Sequence, residues 1–439
     1  MQAEKIFEIA YILKGFPRLS ETFISNEISL LEEKGLRIQV FSVKQPQESK
    51  VHSKVKQLAA PISYLPNTTS LSNCNLINWL VENIPNFAKA HIRLLGVKPL
   101  PWFQTFFQMI VMCFKYRDDF LSKPKKVFIK EFLQAGHIAL PILRSGNIKR
   151  LHGHFSHGST TITWFVSKLT GIPFSFTAHA KDIYQKKLNP GDLLKKKLDA
   201  ADFVVTCTEA NKQYLQDLCE DDKKVNTIYH GLDTKFFVPV ENENSDQTPL
   251  ILSVGRFVEK KGFVFLIEAC RKLKDLGVEF QCQIIGEKGE QFELIQQMIG
   301  SLDLMDTVTL KNEMTQNELK SVYLKTTLFA LPCQITGDGD RDGIPNVLVE
   351  AMAMGIPVVS TNISGIPELI RHGVNGMLVP QKNSDALARS LKKLLQDEDQ
   401  RKKLSLASRR TVCQSFDSHE TSCNLKQLFD STLQQEMSA

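Results

Sequence analysis

Short apolar runs alternate with longer amphipathic ones along this chain, and the alternation occurs twice. In the first half "KIFEIAYIL" predicts a strand. The stretch from about Ser20 predicts a helix that Ser20 caps, with Ile24, Ile28 and Leu31 on one face and Gly35 as its stop. "RIQVFSV", "RLHGHF" (150–155), "IPFSFTAHA" (172–180), "DFVVTCT" (202–208) and "KVNTIYHGLD" (224–233) predict further strands, separated by helices such as "STTITWFVSKLTG". Between about 70 and 145 the rhythm gives way to a mostly helical insertion. After the polar linker "VENENSDQTP" (240–249) the pattern restarts at "LILSVGRFVEKKG" and runs through "FQCQIIGEKGE", "TVTLKN", "TLFALPC" and "IPVVSTN". This argues for two α/β domains with mainly parallel sheets, over 1–238 and 248–416, and a last helix (417–439) that packs back on the first domain. Two such domains side by side form a cleft at the carboxyl ends of their strands, so function is expected in the loops that follow strands.

Composition narrows the class. With 439 residues, 42% hydrophobic and 23% charged, the chain has room for two or three domains and is neither disordered nor fibrous. Its opening "MQAEKIFEIAYILKGFP" carries Glu4, Lys5 and Glu8 around a short apolar run, which predicts no signal peptide, no spanning helix and a cytoplasmic location. Nine cysteines without a CxxC pair predict reduced, mostly buried thiols. The net charge of +6 is unevenly placed: Leu71 to Lys130 holds nine basic residues against three acidic ones, an excess equal to that of the whole chain. The same stretch contains "PLPWFQTFFQMIVMCFKY" (99–116), too short and aromatic for a membrane span. Two readings stand for 99–130: an interfacial helix with a basic rim on an anionic plasma-membrane surface, or a helix buried in the first domain beside a solvated basic flank. Nothing in the pattern calls for nucleic acid.

The chemistry concentrates in a few loops. "DGDRDGIPNVLVE" (338–350) begins like a calcium loop, yet its twelfth position is Val349, Glu350 comes one residue late, Pro345 has no N–H, and a strand precedes it, so no metal is expected. Read as strand, loop and helix, Gly343 allows close backbone approach to a ligand, Pro345 suits the first turn, and the amides from Asn346 onward point at an anion. Asp342 and Glu350 then flank one phosphorylated, polyhydroxylated ligand. Alternatively, Asp342 caps the helix and Glu350 is solvated. In "GRFVEKKG", Arg256 and Lys261 suit a diphosphate, although neither GxxxxGK[ST] nor GxGxxG is present. His179 ends a strand on the cleft side, or is a satisfied structural histidine. His152, His154 and His157 form an HxHxxH cluster that suits zinc in principle and is read here as structural or as support behind the site residues. Gly15 and the helix start at Ser20, Glu21 and Thr22 meet an acceptor or a donor phosphate, or are a plain capped helix.

"DGIPNVLVEAMAMGIPVVSTN", together with "GRFVEKKG", "HGLDTKFF" (230–237) and "GIPELIRHGVNGMLV" (365–379), resembles the retaining glycosyltransferases of family 4, which have the GT-B fold of two Rossmann-like domains. "FPRLSETFISNEISLLEEKG" and "LHGHFSHGSTTITWFVSKLTGIPFSFTAHAKDIY" look like the branch that builds bacterial exopolysaccharides of the colanic acid type. The resemblance implies that Glu350 holds the nucleotide ribose, Asp342 the donor sugar hydroxyls, and Arg256 and Lys261 the diphosphate. It places His179 near the bond that breaks, and gives Gly343, Pro345 and the amides of Ile344, Asn346 and Val347 to the sugar and phosphate. Asp342 stands where the wider family usually has Glu, and one methylene less shifts its hydroxyl contacts. The implied activity is transfer of a hexose, with retention, from a nucleotide diphosphate sugar to a lipid-linked oligosaccharide in exopolysaccharide, capsule or lipopolysaccharide synthesis. No cofactor is implied, since the cations are built in. A sugar-nucleotide epimerase or phosphorylase of the same fold, or a non-catalytic nucleotide-sugar-binding scaffold, are the competing readings.

Overall fold

A computed structural model describes residues 8–18, 21–46, 55, 58–71, 75–117, 122–239 and 248–438, with side chains to 432. Ser20, Cys74 and most of the predicted linker lie outside the described residues. The chain divides into two units: Met1–Thr206, Lys212–Ile228 and Ser422–Ala439 form the first, Cys207–Asn211 and Tyr229–Thr421 the second.

In chain order, the elements up to residue 227 are β1 (Glu8–Leu13), α1 (Thr22–Glu33), β2 (Arg37–Ser42), β3 (Ile62–Tyr64), α2 (Leu76–Val97), α3 (Pro99–Lys115), α4 (Val127–Ser145), β4 (Ile148–His154), α5 (Gly158–Thr170), β5 (Phe174–Ala178), α6 (Lys181–Tyr184), α7 (Leu193–Ala200), β6 (Val204–Thr206), α8 (Glu209–Gln216) and β7 (Val225–Thr227). Among the described residues the strands make one parallel sheet in the order β3-β2-β1-β4-β5-β6-β7, with Ile12 opposite Phe41 on one side and Gly153 on the other. The run Ile9–Leu13 is buried throughout, as a strand covered on both faces requires. One face packs against α4 and α5 through Phe132, Ile138, Phe165 and Leu169. On the other, Ile24 and Ile28 of α1 join Tyr11, Phe203, Leu425 and Phe429. Leu425 and Phe429 lie on the last helix, α16 (Ser418–Ser438). Helix α1 buries Ile24, Ile28 and Leu31, and it ends where Gly35 takes φ +88° and Leu36 N–H bonds Leu31 O at 3.1 Å.

The insertion is helical, and α3 combines features of both readings offered for it. Thr105, Met109, Met112 and Cys113 face the core, whereas Phe103, Phe107, Val111 and Phe114 remain 49–60% exposed at helical spacing. No helix among the described residues is long and apolar enough to cross a membrane.

The second unit runs β8 (Leu250–Val254), α9 (Phe263–Asp275), β9 (Gln281–Ile285), α10 (Phe292–Ser301), β10 (Val308–Lys311), α11 (Gln316–Tyr323), β11 (Leu328–Leu331), α12 (Asn346–Ala353), β12 (Val358–Thr361), α13 (Ile366–Leu369), β13 (Met377–Val379), α14 (Ser384–Gln396) and α15 (Glu398–Ser415). Its parallel sheet has the order β10-β9-β8-β11-β12-β13, with the order reversing between β8 and β11. In an open α/β sheet the crevice beyond such a reversal is where ligands bind. The loops after β8 and β11 carry "GRFVEKKG" and "DGDRDGIPNVLVE".

Candidate active site

Gly262 decides how those two loops meet. It ends the short turn Glu259–Lys261 with φ +67°, and a Cβ there would stand 1.9 Å from Pro332 O, so a larger residue would push the loops apart. Gln334 fastens them, its N–H donating to Lys260 O at 2.9 Å and its side-chain amide to Glu259 O at 2.7 Å. The lysines are thereby turned onto the stretch before α12. Lys261 Nζ lies 2.7 Å from Asp342 Oδ2, and Lys260 Nζ lies 3.2 Å from Asp342 Oδ1 and 3.3 Å from Asp340 Oδ1. Burial by itself would raise the Asp342 pKa, but the Lys261 and Lys260 ammonium groups override it and hold the carboxyl well below its usual range. Burial likewise works to lower Lys260, and Asp342 and Asp340 outweigh it and raise its pKa.

The acids that opened like a calcium loop are therefore engaged within the protein. Asp340 and Asp342 meet lysines, and Asp338 accepts from Thr336 Oγ1 at 2.6 Å and from Asp340 N–H at 3.2 Å, an Asx-type turn. Lys260 was not singled out by the sequence. Arg256 is exposed, and no carboxylate among the described residues is paired with it.

Pro345 occupies the N-cap position of α12, one residue earlier than the first-turn position expected, so Asn346 and Val347 begin the helix without a side-chain cap. Gly343 serves packing within the unit: a Cβ there would come 3.2 Å from Thr208 Cγ2 and 3.4 Å from Cys207 Sγ, with Ile344 half-buried beside it. Glu350 is 6% exposed, which removes the reading of a solvated acid. Tyr323 O–H of α11 donates to its Oε2 at 3.0 Å. Burial pushes the Glu350 carboxyl up to about 7 against the opposing hydrogen bonds from Tyr323 and Gln316. Tyr323 itself gave no sequence signal beyond an aromatic on the buried face of an amphipathic helix.

In the first unit His179 follows β5 and is 9% exposed. Asp182 anchors it: one carboxylate oxygen accepts from His179 N–H at 3.1 Å and the other from Ser156 N–H at 2.6 Å, tying the exits of β4 and β5 together. Phe155 has φ +71°, a strained conformation for a bulky residue, and is held there by its N–H on Thr177 O at 2.8 Å and its O on Thr160 Oγ1 at 2.7 Å. Its ring lies 4.4 Å from that of His179, and Phe23 of α1 packs at 5.0 Å. Neither aromatic was anticipated.

The three histidines of HxHxxH do not converge. His152 sits between Ser175 Oγ at 2.9 Å and Thr177 Oγ1 at 3.0 Å, and burial pushes its pKa down to about 3. His154 bridges Glu27 Oε1 at 3.0 Å and His179 Nε2 at 3.4 Å. His157 stands apart at the N-cap of α5, its pKa pushed to about 3 by burial and then by Lys14, Lys197 and Lys181. Glu27, His152 and His154 bring ligand atoms within 4.8 Å of one another, yet every ring nitrogen of the two histidines already faces a polar partner. Near the start of α1, Gly15 is buried, Glu21 pairs with Arg18 at 3.3 Å, burial raises the Glu21 pKa, and Thr22 is the first helical residue.

Two family profiles match the chain: "Glycosyltransferase Family 4" over residues 111–236 and "Glycosyl transferases group 1" over 235–411. The glycosyltransferase WcaL of Escherichia coli strain K12, named for colanic acid biosynthesis, is 28% identical over 388 residues, 88% of this chain and 89% of that one. The amylovoran biosynthesis glycosyltransferase AmsK of Erwinia amylovora is 41% identical over 197 residues, 45% of this chain and 48% of that one. Among solved structures, a sucrose-phosphate synthase from Thermosynechococcus elongatus superposes with a TM-score of 0.71 at 17% identity, covering 98% of this chain and all of the other. With the two profiles running end to end over 111–411 and each unit built on its own parallel sheet, the chain belongs to the glycosyltransferases of the GT-B fold, related to family 4 and to its colanic acid and exopolysaccharide branch.

Proposed function

We propose that this glycosyltransferase moves a hexose from a nucleotide diphosphate sugar to a lipid-linked oligosaccharide of bacterial exopolysaccharide or lipopolysaccharide synthesis, retaining the anomeric configuration. The observation that carries the reading is Glu350, a buried carboxyl one turn inside the helix that follows Asp342, where burial pushes its pKa up to about 7 against hydrogen bonds from Tyr323 and Gln316. A carboxylate has lone pairs for further partners, and a pair of ribose hydroxyls would supply donors that favour its charged form. In this reading Arg256, Lys261 and the amides of Ile344, Asn346 and Val347, with Gly343 and Pro345 shaping the turn, stabilise the diphosphate as it leaves. Asp342 accepts from sugar hydroxyls while bound to its lysines, since a carboxylate has lone pairs for more than two partners. His179 meets the sugar beside the anomeric carbon.

The C1–O bond to the diphosphate breaks as the acceptor oxygen bonds C1 on the same face, and the departing phosphate oxygen takes the acceptor's proton. Gly15, Ser20, Glu21 and Thr22 meet the acceptor. Relatives named for colanic acid and amylovoran synthesis support the pathway class, and the exposed apolar stripe of α3 beside Lys123, Lys125 and Lys126 supports docking on an anionic membrane where a lipid-linked acceptor lies. Thermal shift with a panel of nucleotide sugars tests the donor, because a ligand of the native state raises its melting temperature. Proton NMR of the product then decides stereochemistry, and an inverted linkage overturns the mechanism.

A further inference from the structure

Three lysines gather at one end of the first unit's sheet. The strand order β3-β2-β1-β4 reverses between β1 and β4, so the exits of these two strands are the switch point of this sheet, as those of β8 and β11 are in the second unit. Lys14 is the first residue after β1, Lys44 the second after β2, and Lys130 the fourth residue of α4. Ser42 locks two of these exits together. Phe16 N–H donates to Ser42 Oγ at 2.9 Å, the Ser42 hydroxyl donates to Lys44 O at 2.7 Å, and Val43 N–H bonds Leu13 O at 2.9 Å. Arg18 folds back over Gly15, where a Cβ would come 3.1 Å from its Nε, and meets Glu21 at 3.3 Å. Glu131, beside Lys130, is buried with Oε1 3.5 Å from where a Cβ on Gly158 would stand, so α4 reaches the residue after His157 at the exit of β4.

This group is short of negative charge. No carboxylate among the described residues pairs with Lys14, Lys44 or Lys130. Partial burial lowers the Lys14 pKa, and Arg18, Lys44 and Lys130 lower it further against Glu21. Burial lowers Lys130 as well, with Glu131 opposing and Lys44 adding to the effect. Glu131 compensates little, because burial holds its carboxyl above the ordinary range against Lys197, Lys130 and Lys14. Its Oε2 and the Nδ1 of His157 are buried there without a hydrogen-bond partner. Cations held together in this way repel one another, and an anion placed among them relieves the repulsion while accepting their N–H groups. We infer that Lys14, Lys44 and Lys130, with Arg18 alongside, form an anion site at the head of the first sheet that takes the diphosphate group of a lipid-linked acceptor. The surroundings favour that ligand. Lys130 continues the basic run Lys123, Lys125 and Lys126 that leads into α4, and α4 packs against α3, whose outer side carries Phe103, Phe107, Val111 and Phe114. A sugar is joined to a carrier lipid through a phosphate or diphosphate, so an acceptor whose lipid stays in a bilayer presents that group beside such a surface.

The lipid-linked ligand rests on the function proposed above; the anion site does not. The test therefore has two arms. In the first, pyrophosphate is titrated by calorimetry into the full-length protein and into its Lys261→Gln variant, which takes a lysine of the second unit's diphosphate site out of play. Adding Lys14→Gln and Lys44→Gln is expected to remove one binding event in the first background and to weaken binding at least about 100-fold in the second. Equal affinity with and without the pair overturns the site, whatever the reaction. The melting temperature without ligand is expected to stay level or rise, because the substitutions remove like-charge repulsion; a clear fall marks the lysines as structural charges and counts against the site. In the second arm, farnesyl diphosphate is the probe for a lipid diphosphate and phosphatidylglycerol vesicles are the probe for a headgroup. The Lys14→Gln, Lys44→Gln protein is expected to bind farnesyl diphosphate at least about 100-fold more weakly and to float with the vesicles as the unaltered protein does. Lost flotation with farnesyl diphosphate binding unchanged assigns the lysines to headgroups and overturns the ligand. Lost pyrophosphate binding with farnesyl diphosphate binding unchanged keeps the anion site and overturns the lipid-linked acceptor as its occupant.

Discussion

A carboxyl that keeps its proton to about pH 7, as Glu350 does, makes the folded protein less stable once that proton is lost. The sign follows from linkage. The unfolded chain releases the proton near the ordinary value of 4.5 and the folded one near 7, so stability declines as pH rises between them and the penalty is complete above 7. A separation of that size corresponds to about 3 kcal/mol. Glu350→Gln keeps an acceptor for Tyr323 and removes the charge. It is expected to raise the melting temperature by roughly 6–12 °C at pH 8 and by no more than about 3 °C at pH 5, on the scale that about 1 kcal/mol moves a unit of this size by 2–4 °C. Under the proposed ribose-binding role the same variant also loses an acceptor charge for the hydroxyls, and nucleotide-sugar affinity at pH 8 is expected to fall about 100-fold. Stability and binding measured at the two pH values check both halves, and a variant stabilised equally at pH 5 and pH 8 refutes the buried-charge account. Of this site, Asp342, Lys261 and Glu350 were legible from local spacing. Tyr323 was not, and neither was Glu27 opposite His154, because contacts across 27 and 127 residues exist only once the sheets are assembled.

At the scale of elements, periodicity identified the long buried strands, and it passed over β3 and β13. Each has three residues and lies at a sheet edge, so neither offers enough alternation to read. Periodicity also could not separate the two sides of α3, since apolar residues occupy both. The outward stripe of Phe103, Phe107, Val111 and Phe114 is exposed, as are Ile77, Val81, Ile92 and Val97 on α2, at a cost in apolar exposure. Burying an aromatic or aliphatic side chain in an interface is worth about 1.5–3 kcal/mol, and each basic residue near an anionic surface about 1 kcal/mol. Phe107→Ser with Val111→Ser should therefore weaken binding to phosphatidylglycerol-containing vesicles at least about 100-fold. Neutralising Lys123, Lys125 and Lys126 should weaken it to a similar degree and abolish the preference over phosphatidylcholine vesicles. Flotation reads both, and unchanged binding by both variants excludes this surface as the contact.

Across the whole molecule, each unit has a core of its own, and the chain completes the first one only at its end. Phe429 of α16 is fully buried, with its ring 5.3 Å from His152, 5.5 Å from Phe203 and 6.5 Å from Tyr11. It thus packs beneath the strands that carry His152 and His154, while the lysine and carboxylate site belongs to the other core. Truncating a buried phenylalanine costs about 3–5 kcal/mol, because the transfer free energy and the cavity add. Phe429→Ala is accordingly expected to lower the melting of the first unit by about 8–15 °C. A nucleotide sugar that binds the second unit should raise a different transition. Calorimetry of the full chain, with and without the nucleotide sugar, separates the two effects. If substitution and ligand shift one common transition by opposing amounts, the two cores are energetically a single unit.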